Sequence, residues 1–145
     1  MVTRGGTLSL MRKLALALAA ALVCAAAADL ALVQPKDLAD HLSAKPAIFH
    51  VGFNTLWRNG KHIPGAVYAG PGNTPEGLEV LKAAVAKLPK DREIVLYCGC
   101  CPWDHCPNIR PAFALLHDLG YTHVRALYIP VNFKANWIDP GYPIE

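Results

Sequence analysis

At 145 residues, with 53% hydrophobic and 17% charged residues, the chain is long and apolar enough for one domain with its own core, which excludes a disordered or fibrous protein. Fourteen Lys and Arg against eleven Asp and Glu give a net charge of +3, but three of the basic residues, Arg4, Arg12 and Lys13, lie in residues 1–28, and beyond them the signs balance. No Lys/Arg stripe or aromatic-basic interleaving remains, which excludes nucleic acid as a partner.

The first element is an export segment. Arg4, Arg12 and Lys13 precede the apolar run Leu14 to Val23 and the tract Ala25 to Ala28, the basic, apolar and small-residue regions of a secretory signal peptide in order. The run falls short of the roughly 20 apolar residues that span a bilayer. Cleavage near Ala28 is therefore expected, with membrane contact only where the segment is retained. "ALVC", ending at Cys24, has Ala and Val where a lipid-modification site has Leu and a small residue, which argues against a lipoprotein. The expected location is periplasmic or secreted, and the expected state a monomer.

Residues 29–145 read as a single domain. In "QPKDLADHLSAK", Pro35 suits a first helical turn and Leu38 and Leu42 are helically spaced, predicting a short helix. "AIFHV" (47–51), bounded by Pro46 and Gly52, predicts a buried strand, and "AVYA" (66–69), closed by Gly70-Pro71-Gly72, a second. Thr74, Pro75 and Glu76 stand in the order of an N-cap, a first-turn proline and a first-turn acid, opening a helix over 75–88 that Pro89 closes. "EIVLY" (93–97) predicts a strand, with Cys98 just beyond its carboxyl end. "RPAFALLHDLG" (110–120) has helical spacing at Phe113, Leu116 and Leu119 with Gly120 as its stop, and "HVRALYI" (123–129) is the last predicted strand. Strands alternating with helices predict an α/β fold, a parallel sheet covered on both faces, with chemistry in loops at the strands' carboxyl ends.

The loop after 97 is such a place, and it holds four of the chain's five cysteines: Cys98, Cys100, Cys101 and Cys106. In an oxidising space unprotected cysteines pair, but these lie too close in sequence to staple a fold. A thiol between a strand end and a helix start meets backbone N–H groups and the positive end of the helix dipole, which favour a thiolate or an anionic sulfur attached to it. Cys98, fixed at the base of the loop, is on these grounds the expected nucleophile. Arg110 near the helix start can bind an oxyanion. Trp103 caps the loop or lines its mouth, and His105 is a base, a ligand or an exposed loop residue. Two other chemistries are open. C-x-C-C-x4-C with His105 offers soft ligands for Cu(I) or Zn, although the spacing is not that of a zinc ribbon. A redox dithiol is also possible, most easily between Cys106 and either Cys100 or Cys101, since the adjacent pair would be strained.

From about Pro35 to Glu145 the chain resembles the rhodanese-like family. "KHIPGAVY" (61–68) resembles that family's turn into its next strand, "IVLYC" (94–98) its active-site strand and cysteine, and "GYTHV" (120–124) with "WIDPGYPIE" (137–145) its closing pattern. The resemblance implies a five-stranded parallel sheet flanked by helices, and a cysteine, Cys98, that takes sulfane sulfur from a small sulfur-containing donor as a persulfide and passes it to a thiophilic acceptor without a cofactor. His62 and Pro64 then shape the turn. The family's compact C-x4-R loop is lengthened here, Cys98 and Arg110 enclosing residues 99–109. His50-Val51-Gly52 stands where the family has Asp-Val-Arg, and Ile129-Pro130 where it has Gly-Gly. These departures shift the expectation from ordinary thiosulfate transfer to a persulfide on Cys98 that Cys100, Cys101 or Cys106 relays or resolves as a disulfide.

Overall fold

The structure is a computed structural model that describes residues 29–145; the segment expected to direct export, with Cys24, lies outside the described residues. Strands and helices alternate as β1 (Leu32–Val33), α1 (Pro35–His41), β2 (Ala47–His50), α2 (Asn54–Asn59), β3 (Val67–Tyr68), α3 (Pro75–Val85), β4 (Ile94–Tyr97), α4 (Ile109–Asp118) and β5 (Val124–Leu127). The strands form one all-parallel sheet in the order β1-β5-β4-β2-β3. The five-stranded, helix-flanked fold expected from the sequence is therefore the one observed.

The side-chain period of two decides what each face of the sheet touches. Ile94 and Leu96 of β4 join Phe49, Leu81, Val85, Ile109, Ala112 and Leu116 in one core, under α3 and α4. Val95 and Tyr97 join Ile48, Leu38 of α1, Ile63, Leu127 and Trp137 in the other. All four β4 residues are buried, as a central parallel strand with both faces covered requires. The same alternation carries Cys98 to the face of α4, beside Leu96.

Local chemistry accounts for most boundaries. The Thr74 hydroxyl accepts from Gly77 N at 3.0 Å and Pro75 opens α3, which ends at Val85 rather than continuing to 88; Leu88 N turns back to Val85 O at 2.8 Å. Helix α4 begins one residue before the predicted start, so its fully buried face is Ile109, Ala112 and Leu116, with Phe113 and Leu119 partly buried at its border. The predicted strand over 123–129 is reduced to β5, and that over 66–69 to β3. Three elements are additions to the sequence reading: β1, whose two residues pair with Ala126 and Leu127, the helix α2, and a π-helical turn at Lys134–Ile138.

Two of the quoted motifs meet in space. His62 N and O each pair with Glu145 at 3.0 Å, and Glu145 Oε1 accepts from Gly65 N at 3.1 Å. Trp137 is fully buried and donates Nε1–H to Pro143 O at 2.8 Å. The segment after β5 is thus tied across the turn into β3, beside the carboxyl ends of β2 and β4.

Candidate active site

Register brings the site together. His50 of β2 pairs with Tyr97 of β4, and Val51 N donates to Tyr97 O at 2.9 Å, so the two chains leave the sheet side by side and Gly52, one residue beyond Val51, lies against Cys98 at the strands' carboxyl ends. A Cβ on Gly52 would stand 3.0 Å from Cys98 Sγ and 2.8 Å from His50 Cε1. Gly52 therefore lets the sulfur pack against the β2 backbone where the family's pattern has an arginine. Gly99 leaves Cys98 with φ +84°, a left-handed backbone that disfavours side chains, and its carbonyl accepts from Phe133 N at 3.0 Å. The chain then crosses the end of β5, where Trp103 N donates to Ile129 O at 2.8 Å, makes one 3-10 turn at Trp103–His105, and turns back at Cys106 into α4.

The result is a knot of sulfur. Cys98 and Cys106 are buried, Cys101 is half-buried and Cys100 is exposed. Cys100 Sγ lies 3.3 Å from Cys98 Sγ and 3.2 Å from Cys101 Sγ. The Sγ atoms of Cys98, Cys100 and Cys106 all fall within 4.8 Å of one another, and these three are the residues placed to hold a metal. Asn108, fully buried, donates Nδ2–H toward Cys98 Sγ at 3.5 Å and Cys106 Sγ at 4.0 Å, and its Oδ1 accepts from Asn73 N at 3.1 Å.

Charge settles on Cys106. Its contact with the Cys98 thiol, followed by the backbone N–H groups of Asn108 and Ile109 at the start of α4, holds it down to about 6 although burial opposes this. The same contact, then burial, pushes the Cys98 thiol far above its ordinary range. Burial pushes Cys101 up to about 12. Cys98 and Cys106, their sulfurs within 4.8 Å, therefore titrate as a pair in which Cys106 is the more acidic sulfur. The helix-start N–H groups that the sequence reading assigned to Cys98 are turned on Cys106.

Cys98 also lines a cleft of about 160 Å³ with His50, His62, Tyr97, Phe133 and Lys134, and Lys61 at its rim. His50 is buried with its ring edge-on to Tyr97 at 5.0 Å, its Nδ1 accepts from Gly52 N at 3.3 Å, and burial lowers it to about 4, so it is neutral at pH 7. His62 stacks on Trp57 at 3.6 Å and its Nε2 bonds Trp57 O at 2.6 Å, fixing the turn as its sequence context implied.

Of the other predicted site residues, His105 and Arg110 stand apart from the sulfurs and Trp103 packs over them. His105 is exposed and faces Asp104 at 3.8 Å. Arg110 is exposed on the first turn of α4, and no side-chain hydrogen bond joins it to a cysteine among the described residues. Trp103 covers the inner side of the loop with Cys98, Cys101, Cys106 and Ile109. Asn108, Gly52 and His50 were not singled out as site residues from sequence. The available signals were an Asn between Cys106 and an apolar helix, and the replacement of Asp-Val-Arg by His50-Val51-Gly52.

The rhodanese-like domain family model matches residues 34–128. No curated protein matches the chain. Among solved structures, the Alr3790 protein from Anabaena sp. is 23% identical, covering 78% of this chain and 90% of its own, with a TM-score of 0.58. A rhodanese-related protein from Thermoplasma volcanium is 17% identical over 79% of this chain and 97% of its own, TM-score 0.53. EanB, solved in complex with hercynine, is 20% identical over 82% of this chain but 28% of its own, TM-score 0.56. These likenesses are of fold.

Proposed function

The chain belongs to the rhodanese-like domain family, and from that premise we propose that it is a sulfurtransferase carrying sulfane sulfur as a persulfide on Cys98, with Cys106 as the partner that holds the charge. The observation that carries this reading is the buried Cys98–Cys106 pair at the carboxyl end of β4, one of whose sulfurs, Cys98, opens on the cleft. Export by residues 1–28 to an extracytoplasmic space belongs to the same proposal.

In the first step the Cys98 proton passes to Cys106, and the Cys98 thiolate attacks the outer sulfur of a small anionic donor that enters past Lys61. A Cys98 Sγ–S bond forms, the donor's S–S bond breaks, and its electron pair leaves on the remaining sulfur fragment. A thiophilic acceptor in the cleft then takes the outer sulfur. Alternatively Cys106 attacks Cys98 Sγ, forming a disulfide and releasing hydrosulfide, after which an external thiol must reduce the pair. Arg110, exposed at the start of α4, is left with the approach of the donor rather than the bond-making step.

Intact-mass analysis of the full chain, reduced without oxygen and then exposed to a sulfane donor, tests this. A gain of one sulfur that maps to Cys98, is abolished in Cys98→Ser and falls as pH drops below about 6 is the expected result. Full loading in Cys98→Ser overturns it.

A further inference from the structure

We propose that Cys98, Cys100 and Cys106 form a three-coordinate thiolate site for Cu(I), an occupant distinct from the sulfane sulfur proposed above. Their three Sγ atoms lie within 4.8 Å of one another. Donors placed trigonally about one ion at the ~2.3 Å of a metal–thiolate bond stand about 4 Å apart. Cys98 and Cys100, at 3.3 Å, must separate, and Cys100 is the exposed member that can swing outward.

The donor set selects the ion. Three sulfurs without a carboxylate or imidazole among them suit a soft cation. A structural zinc site takes four ligands, and here the fourth is lacking. His105 is exposed and turned to Asp104, and Cys101, although 3.2 Å from Cys100, stands outside the mutual set. Cu(I) accepts three thiolates and needs no fourth donor. Around the two buried ligands Cys98 and Cys106 the surroundings are apolar on one side, with Ile109, Leu127 and Ile129, and carry a donor on the other, the Asn108 amide reaching both sulfurs. That combination shields the Cys98 and Cys106 sulfurs, leaves Cys100 as the solvent-facing ligand, and offsets part of the net double negative charge of a cuprous trithiolate.

Binding balances without electron transfer. Each thiol that becomes a ligand releases its proton, and the ion stays cuprous. Since the ion uses the sulfur that would carry the persulfide, a loaded site takes up no sulfane sulfur, and each activity is measurable without the other.

The experiment is a titration of the reduced full chain with Cu(I), without oxygen, against bicinchoninate as a coloured competitor, followed by X-ray absorption at the copper edge. One equivalent withdrawn per chain, three sulfur neighbours, and affinity lowered about tenfold or more in Cys98→Ser, Cys100→Ser and Cys106→Ser are expected. Cys101→Ser and His105→Ala should leave it within about twofold. Failure to withdraw copper from bicinchoninate, equal affinity in Cys100→Ser, or dependence on Cys101 with four sulfur neighbours overturns the site. Sulfur uptake by the metal-free protein, followed by mass, is scored separately, so loss of the copper site leaves the persulfide reading standing and the reverse also holds.

Discussion

Asn108 shows what one side chain contributes at the site. It occupies the cap position of α4 yet makes no side-chain cap bond; its amide is turned inward, Oδ1 to Asn73 N and Nδ2 to the two buried sulfurs. An amide N–H donated to a thiolate favours the charged form, and a carboxylate in its place does the opposite. Asn108→Asp keeps the size of the side chain and loses that donor. Its expected effect is a rise of about one unit in the midpoint of the pair's alkylation by iodoacetamide, with the rate at about pH 6 falling about fivefold. An unchanged midpoint would mean that the backbone N–H groups of Asn108 and Ile109 set the charge by themselves. In sequence, Asn before an apolar helix reads as a cap, and nothing local announces that a sulfur two residues back competes for its amide. The cysteines were legible because their type and spacing are rare, whereas which of them holds the charge depends on where α4 points.

Among the elements, α3 is the one whose chemistry lies wholly in its own sequence. The Thr74 hydroxyl accepts from Gly77 N and donates to Pro71 O at 3.2 Å, while Leu81 and Val85 bury the face toward the sheet. Thr74→Ala is expected to cost about 1 kcal/mol, read as a lower urea midpoint at unchanged m-value, with sulfur loading at Cys98 untouched because α3 contributes no side chain to the sulfur cluster. A loss of loading equal to the loss of Cys98 would show that the cap also positions the 70–73 turn against Asn108. Elements of this kind, α1, α3, β2 and β4, were legible from caps, proline placement and apolar runs. β3 was legible from its apolar run, though its pairing with Phe49 and His50 trims it to two residues, whereas β1 is an edge strand of two residues defined by its partners Ala126 and Leu127 rather than by any pattern of its own. α2 lacks an N-cap side chain bond and buries none of its residues, so neither of the usual helix signals was present to read.

The whole molecule joins its stability to the cleft through His50. This residue ends β2, is 4% exposed, and sits among the rings of Trp57, Tyr68 and Tyr97 at 5.0 to 6.0 Å. Burial lowers it from 6.5 to about 4, so the unfolded chain binds its proton before the folded chain does. The contribution of this group is therefore full above about 6.5, declines as pH falls from there to about 4, and falls no further once both states are protonated. The whole decline amounts to about 3 kcal/mol at one proton's worth of linkage. The Cys106 thiol works in a separate window, gaining stability as pH rises from about 6 toward its ordinary 9. Urea unfolding at about pH 6, 5 and 4, below the range in which Cys106 titrates, measures the first window, and His50→Gln, which retains an acceptor for Gly52 N without titrating, should flatten it. The family's aspartate at this position would carry a charge into the cleft at neutral pH; a neutral imidazole leaves Lys61, the Asp139-paired Lys134 and the sulfur pair to set the field that an anionic donor meets. A decline that persists undiminished in His50→Gln would place the acid sensitivity elsewhere and leave the replacement of that aspartate without an electrostatic consequence.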